Sequence, residues 1–230
     1  MRAGAALAVA LGWSAAAFAQ AQPIGETAVA RNQVTGSQPA RSLEVGADVF
    51  RNEQVRTGAD SQAKLVFLDD TNISIGPQST VTLDRFVYAG DSSAQAMSVN
   101  FARGAFRFAT GASEKRAYQL RTPIATIGVR GTILDIRSEA GRTTVVLVEG
   151  QAQVCASSAK ARSAGGGRPC RELLNPGDAV VVTTSGLAGR PAGAGGWSFA
   201  ATCASAAGLC AATRYAARTP ADFAAALCGR

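Results

Sequence analysis

Apolar and polar residues alternate with a period of two along much of the chain between residues 54 and 184. In the segment 131–137, Leu134 and Ile136 share one face, whereas Asp135 lies on the other. Such alternation is typical of a half-buried β-strand. The segment 142–149 is rich in β-branched residues and apolar on both faces, which predicts a central strand of its sheet. We therefore expect the two segments to form a hairpin around a turn at 139–141.

The same alternation predicts further short strands at close intervals. They are Gln54–Thr57, Gln62–Leu68, Asn72–Gly76, Thr80–Phe86, Ser98–Phe101, Ala105–Thr110, Tyr118–Arg121, Glu172–Leu174 and Ala179–Thr184, with another that starts at Ala152 after Gly150 ends its predecessor. No helical pattern of ten or more residues precedes residue 197. Many short strands separated by turn residues predict an all-β domain, in the form of a sandwich, a roll or a short β-solenoid.

The most distinctive stretch is TPIATIGVRGT, which begins at Thr122 and is punctuated by proline and glycine. Pro123 holds Thr122 in an extended conformation and cannot donate a hydrogen bond to a sheet. Because Gly128 and Gly131 bracket two residues, the backbone there is expected to bend sharply or to pass close to another strand. Two interpretations of Arg130 follow. It pairs with a nearby carboxylate, which is the favoured interpretation, or it contacts a partner.

The residues TPIATIGVRGTILDI, followed by TTVVLVEGQAQV, resemble the core of the FecR family. Further blocks in the family's order are Gly46-Ala47-Asp48, Val55–Ser61, Leu65-Val66-Phe67, Ile75–Ser79 and Leu174–Asp178, so that the resemblance covers about residues 40–184. The core motif, which is interpreted as mainly structural, comprises Thr122, Pro123, Gly128, Arg130, Gly131, Thr132, Glu149 and Gly150. One departure is the turn at Asp69-Asp70-Thr71, where the family usually has Asp-Gly.

The resemblance implies a β-domain that recognises another molecule in the periplasm. In regulators of the family, this domain lies beyond a membrane helix, receives a signal from an outer-membrane transporter and controls a cytoplasmic sigma factor. Here the β-pattern begins soon after residue 22, so sigma-factor control by this chain alone is not expected. We expect a non-catalytic recognition or scaffold module that binds an envelope protein or an anionic envelope polymer. The alternatives are a part in FecR-type envelope signalling and a structural envelope protein cross-linked through its C-terminal cysteines.

The first residues of the chain fit a secretory signal peptide. Arg2 precedes a short apolar run, and Ala17-Phe18-Ala19 fits a cleavage site. We therefore expect a mature protein in the periplasm of a Gram-negative bacterium, and not an integral membrane protein after processing. The predicted organisation is a signal peptide at 1–21, a leader with a first strand at 22–41, a FecR-like β-domain at 42–184, a flexible Gly/Ala/Pro linker at 185–196 and a small helical tail at 197–230.

The chain has five cysteines, which in a secreted protein predicts disulfides with one cysteine left over. Cys155 and Cys170 flank a glycine-rich, basic segment and are predicted to close the base of a flexible loop. In an unbroken helix, Cys203 and Cys210 would lie about 10 Å apart, which is too far for a bridge. The pairing Cys210–Cys228 is therefore favoured, brought about by a last helix at about 220–227. Cys203–Cys210 is the alternative if Gly208 breaks the helix.

The basic loop is a candidate binding site for an anionic polymer or an acidic protein surface. Its cations are Lys160, Arg162, Arg168 and Arg171. The competing interpretation, which we favour, is a solvated loop whose charge keeps it soluble.

Composition narrows the range of functions. The chain contains no histidine, which removes Ser-His-Asp and Cys-His catalysis and the usual zinc ligand sets. Its glycine-rich stretches lack the context of a phosphate-binding loop. We predict no catalytic, metal-binding or cofactor-binding residue and no enzymatic activity. The formal charge of +7 comes mainly from arginine in an Ala- and Gly-rich chain, which indicates a compositional bias and not a nucleic-acid-binding surface.

Overall fold

A computed structural model describes residues 22–89, 93–114, 117–157, 169–188 and 197–213, which form one curled β-sheet and one short helix. The strands are β1 (Pro23–Arg31), β2 (Val34–Ser37), β3 (Ala40–Ser42), β4 (Asp48–Phe50), β5 (Gln54–Thr57), β6 (Gln62–Phe67), β7 (Asn72–Ile75), β8 (Thr80–Ala89), β9 (Ser93–Ala109), β10 (Tyr118–Arg121), β11 (Ala125–Glu139), β12 (Arg142–Ala156), β13 (Cys170–Leu173), β14 (Ala179–Thr183) and β15 (Gly186–Ala188), and the helix is α1 (Ala200–Ala204). The predicted all-β class is confirmed. None of the helical structure in these ranges is long and apolar enough to cross a membrane.

The main path of the sheet runs β15-β14-β12-β11-β10-β9-β7-β6-β1-β4, and β2, β3, β5, β8 and β13 pair beside it. β10 is parallel to β9, and the other pairs are antiparallel. The inward-facing residues form one hydrophobic core. Phe67 on β6 stacks on Phe86 of β8, with ring centroids 4.9 Å apart, although these strands do not pair. The sheet therefore curls until distant strands meet across the core.

The predicted leader at 22–41 contains three strands instead of one. β1 starts at Pro23 and pairs with β4 and β6, while β2 pairs with β3 and β5. The alternation is hard to read in β1 because a bulge between Thr27 and Val29 shifts its register against β6. A bulge inserts one extra residue into the period of two.

Two pairs of predicted strands are single long strands. β9 continues through Gly104, and β12 continues through Gly150, which was predicted to end a strand. At these glycines φ is 114° and 82°, respectively. A glycine with positive φ lets a strand bend without ending, and both glycines act in this way here.

The departure from the family pattern at the β6–β7 turn leaves a well-bonded turn. Asp70 has a φ of 63°, in the left-handed region that glycine adopts most readily. The buried carboxylate of Asp69 accepts hydrogen bonds from Ser113 Oγ at 2.7 Å, Tyr118 OH at 2.8 Å and Thr71 Oγ1 at 2.9 Å. Burial also raises the pKa of Tyr118. Aspartate thus takes the position of the usual glycine, and its neighbour anchors the turn to β10.

Both disulfides in the described residues involve predicted cysteines, but one pairing differs. Cys155–Cys170 joins β12 to β13 and confirms the prediction. In the tail, Cys203 is bonded to Cys210, the alternative pairing, in place of Cys210–Cys228. The reason is that α1 ends at Ala204 and Gly208 adopts a φ of 75°, so that the two Cα atoms come within 5.3 Å. The helix predicted at 220–227 and Cys228 lie outside the described residues, as does the predicted signal peptide.

The segment predicted as a linker begins with a strand. β15 pairs with β14 at the end of the sheet, so the β-domain extends past residue 184 to Ala188. The tail that follows packs onto the sheet. Phe199 and Leu209 are fully buried in a small hydrophobic cluster, and Ala105 on β9 packs against this cluster. The described part of the tail is therefore a component of the folded domain.

Candidate functional site

The family core motif lies at a bend in the long hairpin β11–β12. The register between the two strands shifts from Arg130 to Ile133, and Gly131 there has a φ of 58°. A Cβ atom on Gly150 would lie 1.9 Å from the carbonyl oxygen of Gly131, which is far inside van der Waals contact. Position 150 therefore requires glycine, and the bend is built into the motif.

Two buried threonines of the motif make structural hydrogen bonds, one at the bend and one in the turn before β11. Thr132 Oγ1 donates a hydrogen bond to the carbonyl oxygen of Gln151 at 2.6 Å and accepts one from the Arg130 N–H at 2.9 Å. Thr122 Oγ1 accepts a hydrogen bond from the Ala125 N–H at 3.0 Å. These contacts account for both threonines as structural residues, in agreement with the interpretation of the motif as mainly structural.

The fold does not use Gly128 and Arg130 in the same way. Both are exposed on β11. A Cβ atom on Gly128 would meet nothing within 4 Å, and its φ lies outside the left-handed region, so neither crowding nor backbone geometry requires glycine. Arg130 forms no ion pair with any described residue. The favoured interpretation, a pairing of Arg130 with a nearby carboxylate, has no counterpart among the described residues, and the exposed side chain stays a candidate for contact with a partner.

Gly128 lies between two shallow clefts on the outer face of the sheet. One, of about 470 Å³, is lined by Arg130 and Gln151. The other, of about 420 Å³, is lined by Arg85 and Ser98. Both clefts include Gly128 itself, so the missing side chain joins them into one continuous surface. Of the remaining motif residues, Glu149 and Pro123 line clefts elsewhere.

The predicted basic loop is described only at its base. Lys160, Arg162 and Arg168 lie outside the described residues. Arg171 is exposed on β13, next to Cys170, whose disulfide to Cys155 closes the loop. The loop therefore leaves the sheet from the β12–β13 edge.

Lys64 is fully buried, which its position on the polar face of β6 did not predict. The tail covers it. Its Nζ atom donates hydrogen bonds to the carbonyl oxygen of Gly208 at 3.2 Å, to Thr213 Oγ1 at 2.6 Å and to the carbonyl oxygen of Ala211. Burial lowers the pKa of Lys64 from 10.5 to about 8, because the charged form loses its water.

Asp135 is the second buried charge beneath the tail. Its carboxylate accepts hydrogen bonds from Arg107 Nε at 2.7 Å and Arg107 Nη2 at 2.9 Å, and from the Phe199 N–H at 2.8 Å. Its side chain is fully buried. Together with Lys64, it fixes the tail to the sheet at two separated points. The one sequence signal for this docking is the presence of Phe199 and Leu209 in the tail, since large apolar side chains predict burial.

Removal of residues 197–230 is expected to return the pKa of Lys64 from about 8 towards 10.5, because water replaces the tail around its ammonium group. NMR titration of the lysine side chains measures this directly. The chain's other lysines are Lys115 and Lys160, which serve as references within the same sample. An unchanged Lys64 pKa in the shortened chain would contradict the docking of the tail over this residue.

The same shift makes tail docking pH-dependent. Between pH 8 and 10.5, the state with the tail detached binds more protons at Lys64 than the docked state does. Docking therefore strengthens as pH rises through this range and, as far as Lys64 is concerned, is constant below it. Limited proteolysis of the tail at pH 7 and pH 10, with the pH dependence of the protease itself corrected on a peptide, gives an independent measurement.

Three buried carboxylates are hydrogen-bonded within the fold. Asp69 and Asp135 accept the hydrogen bonds described above, and Glu53 accepts one from Arg41 Nη1 at 2.7 Å and one from the Phe50 N–H at 2.9 Å. In the part of the chain that the structure describes, no three acidic or cysteine side chains are grouped so that they could hold a metal ion. The chemistry that this surface offers is hydrogen bonding and charge attraction on the exposed sheet face.

Comparison with known proteins relates part of the chain to a protein family. The model of the family described as "FecR protein" matches residues 53–153. No curated protein matches the chain. Two crystal structures, both described as a "putative anti-sigma factor" from Parabacteroides distasonis ATCC 8503, are similar at 13% and 14% identity, with TM-scores of 0.44 and 0.43. The alignments cover 59% of this chain and only 56% and 57% of those chains, so this chain spans little more than half their length.

Proposed function

From the match of residues 53–153 to the FecR family, we propose that this chain is a non-catalytic recognition module of the cell envelope, exported to the periplasm. Its partner is an envelope protein or an anionic envelope polymer. The observation that carries the proposal is that residues of the core motif have different roles. Thr132, Gly131 and Gly150 form the bend, and Thr122 holds the turn before β11. Arg130, by contrast, is exposed without an ion pair among the described residues.

An exposed arginine without a local partner is suited to recognition. Its guanidinium group presents five N–H donors in a rigid planar arrangement that matches carboxylate and phosphate groups. Arg130 is paired with Gln151 of β12, and its N–H donates a hydrogen bond to Thr132 Oγ1, so the side chain starts from a hydrogen-bonded backbone. Rigid positioning reduces the entropy that is lost on binding. These features favour binding over catalysis.

The family match also connects the chain with envelope signalling of the FecR type, in which the module described here would be the part that receives the signal. The other candidate function is that of a structural protein cross-linked through its tail. The two disulfides limit which cysteine could form such a cross-link. Cys155 with Cys170 and Cys203 with Cys210 account for four of the five cysteines. A cross-link to another chain would have to use Cys228.

Substitution of Arg130 with glutamine is expected to reduce the amount of envelope component that the immobilised mature protein retains from an envelope extract by about twofold to fivefold, which is the usual range for one exposed charge. The effect should be larger at low salt, because salt screens charge attraction over about 8 Å at physiological strength. Arg51→Gln, at an exposed arginine in a turn, is the matched control and should retain the wild-type amount.

The basic loop is tested in the same assay. Replacing Lys160, Arg162, Arg168 and Arg171 with serine separates a contribution of the loop from that of Arg130. Equal retention by the wild type, the Arg130 variant and the loop variant at both salt concentrations would reject charge-based recognition by this domain. Retention lost only on removal of 197–230 would move the interaction to the tail and favour the structural candidate.

A further inference from the structure

The register of six strands places six outward-facing residues in one line across the sheet. From β8 to β13, they are Arg85, Ser98, Gln119, Gly128, Gln153 and Glu172. Their inward-facing neighbours along the same strands are all buried: Phe86, Met97, Tyr118, Val129, Ala152 and Leu173. The line, which we call the polar row, therefore faces away from the core. With neighbouring strands 4.7–4.9 Å apart, it is about 24 Å long.

Nothing in the described fold requires the residue at the centre of this row, Gly128, to be glycine. A strand interior disfavours glycine, because it has no side chain to pack and costs more entropy to order than other residues. A Cβ atom on Gly128 would meet only open space. Glycine in a strand marks a bulge, a bend or a place where another molecule approaches the backbone closely. Since β10, β11 and β12 keep their register at Gly128, the last of these explanations remains.

A second observation comes from the neighbouring strand. Ser98 is only 8% exposed, and its hydroxyl group makes no hydrogen bond to any described residue. Asn100, two residues further along the same face, has a buried Oδ1 atom that likewise has no partner in the described chain. Buried polar groups are nearly always hydrogen-bonded in native proteins. Ser98 lines the cleft beside Gly128, and its unpaired hydroxyl group is buried next to that cleft.

The charges around the row define the ligand's chemistry. Arg85, Arg121 and Arg130 are exposed on this face, against the carboxylates of Asp84 and Glu172. Burial raises the pKa of Asp84, while nearby Arg121 acts in the opposite direction. Hydrogen-bond donors therefore outnumber acceptors, which favours a ligand with carboxylate and hydroxyl oxygens.

Among the described residues, this face presents arginine side chains but no exposed aromatic side chain. Binding energy at protein interfaces concentrates in buried aromatic and arginine residues surrounded by close packing. The exposed large apolar side chains nearby, Val87 and Leu174, lie on β8 and just after β13, at opposite margins of the row. Its centre is glycine flanked by Gln119 and Gln153. Such a centre offers hydrogen bonds to a polar chain but no pocket for an apolar side chain.

Building on the proposed function, we propose that the polar row binds a linear acidic polysaccharide, laid across the strands with its backbone over Gly128. The repeat of the row is the strand spacing of 4.7–4.9 Å, which is close to the advance of one sugar residue in an extended chain. An extended peptide advances about 3.3 Å per residue, so its residues do not match the spacing of the row. Peptides also tend to add to the edge of a sheet, whereas this site is on its face.

The test uses the full mature chain and defined oligosaccharides. The acidic probes are oligomers of galacturonate, mannuronate and glucuronate, the neutral probe is a cello-oligosaccharide of equal length, and the acidic peptide probe is polyglutamate. We expect calorimetry to show binding of at least one uronate oligomer and weaker or no binding of the neutral probe and of polyglutamate. Gly128→Gln should weaken the binding of that oligomer by about tenfold or more, since the new side chain occupies the path of the ligand.

The substitution at Gly128 is suited to this purpose because the fold has space for it. Its Cβ atom contacts nothing, so the thermal midpoint should not fall. Ala40→Gln, which adds the same side chain to an exposed position of β3, is the matched control and should bind as the wild type does. A second variant, Gln119→Ala with Gln153→Ala, removes hydrogen-bonding groups without adding bulk and should also weaken binding.

Three results would overturn the proposal. The first is undiminished uronate binding by Gly128→Gln. The second is binding of polyglutamate as tight as that of the uronate oligomers, which would assign the face to an acidic peptide. The third is failure of every uronate oligomer to bind. If the last result came with Arg130-dependent retention of an envelope component, the recognition function would stand and only the polysaccharide would be rejected.

Discussion

Replacement of Asp135 with alanine is expected to lower the free energy of unfolding by about 3–5 kcal/mol, the range for removal of one partner from a buried ion pair. The carboxylate is fully buried and accepts hydrogen bonds from Arg107 at 2.7 and 2.9 Å and from the Phe199 N–H at 2.8 Å. Its removal leaves a guanidinium group and a backbone N–H without an acceptor. The same change should also release the start of the tail.

The matched control is Glu139→Ala. Glu139 pairs with Arg137 at 2.9 Å on the same strand, but both side chains are 44% exposed. An exposed pair contributes about 0–1 kcal/mol, so this substitution should have little effect. Urea unfolding with both disulfides intact measures the two changes. A cost for Asp135→Ala no greater than that for Glu139→Ala would show that the tail does not bury this carboxylate.

Truncation of Leu134 to alanine is expected to cost about 2–5 kcal/mol, because it removes buried methyl groups and leaves a cavity. Leu134 lies on β11, opposite Leu147 on β12 and Phe108 on β9, and all three side chains are fully buried. Leu147→Ala should have a similar effect. Leu174→Ala is the control, since this side chain is 51% exposed, and should cost under about 0.5 kcal/mol. Equal midpoints of unfolding for Leu134→Ala and Leu174→Ala would contradict the central position of β11.

Most of the strands could be predicted from alternation alone. β5 and β10 have the predicted bounds, and β6 and β7 each differ by one residue at one end. These strands alternate without interruption, and each ends at turn residues. β1 and β12 were harder to predict, because bulges break the period and a glycine inside a strand resembles a strand end. Sequence periodicity therefore recovers regular strands and fails where the register shifts.

The candidate surface was harder to predict from the sequence. Alternation assigns Lys64 and Asp135 to the face opposite the core residues of their strands, but it does not show that the tail covers that face. Nor does it show which carboxylates lie near Arg130, since that depends on strands far apart in sequence. The polar row has the same origin. Its members come from six strands, and only the observed register brings them into line.

The docked tail has a consequence for the order in which this protein matures. The tail docks onto β6, β7 and β11, which are synthesised before it. The hydrogen bond from Lys64 to Gly208 joins residues 144 positions apart. Contacts of such long range form late and slow folding. Until residues 197–213 are made and docked, this face of β6, β7 and β11 stays hydrated, and Lys64 and Asp135 remain uncovered. A chain cut short during synthesis or trimmed by a protease thus exposes Lys64 and Asp135, which distinguishes it physically from a finished one.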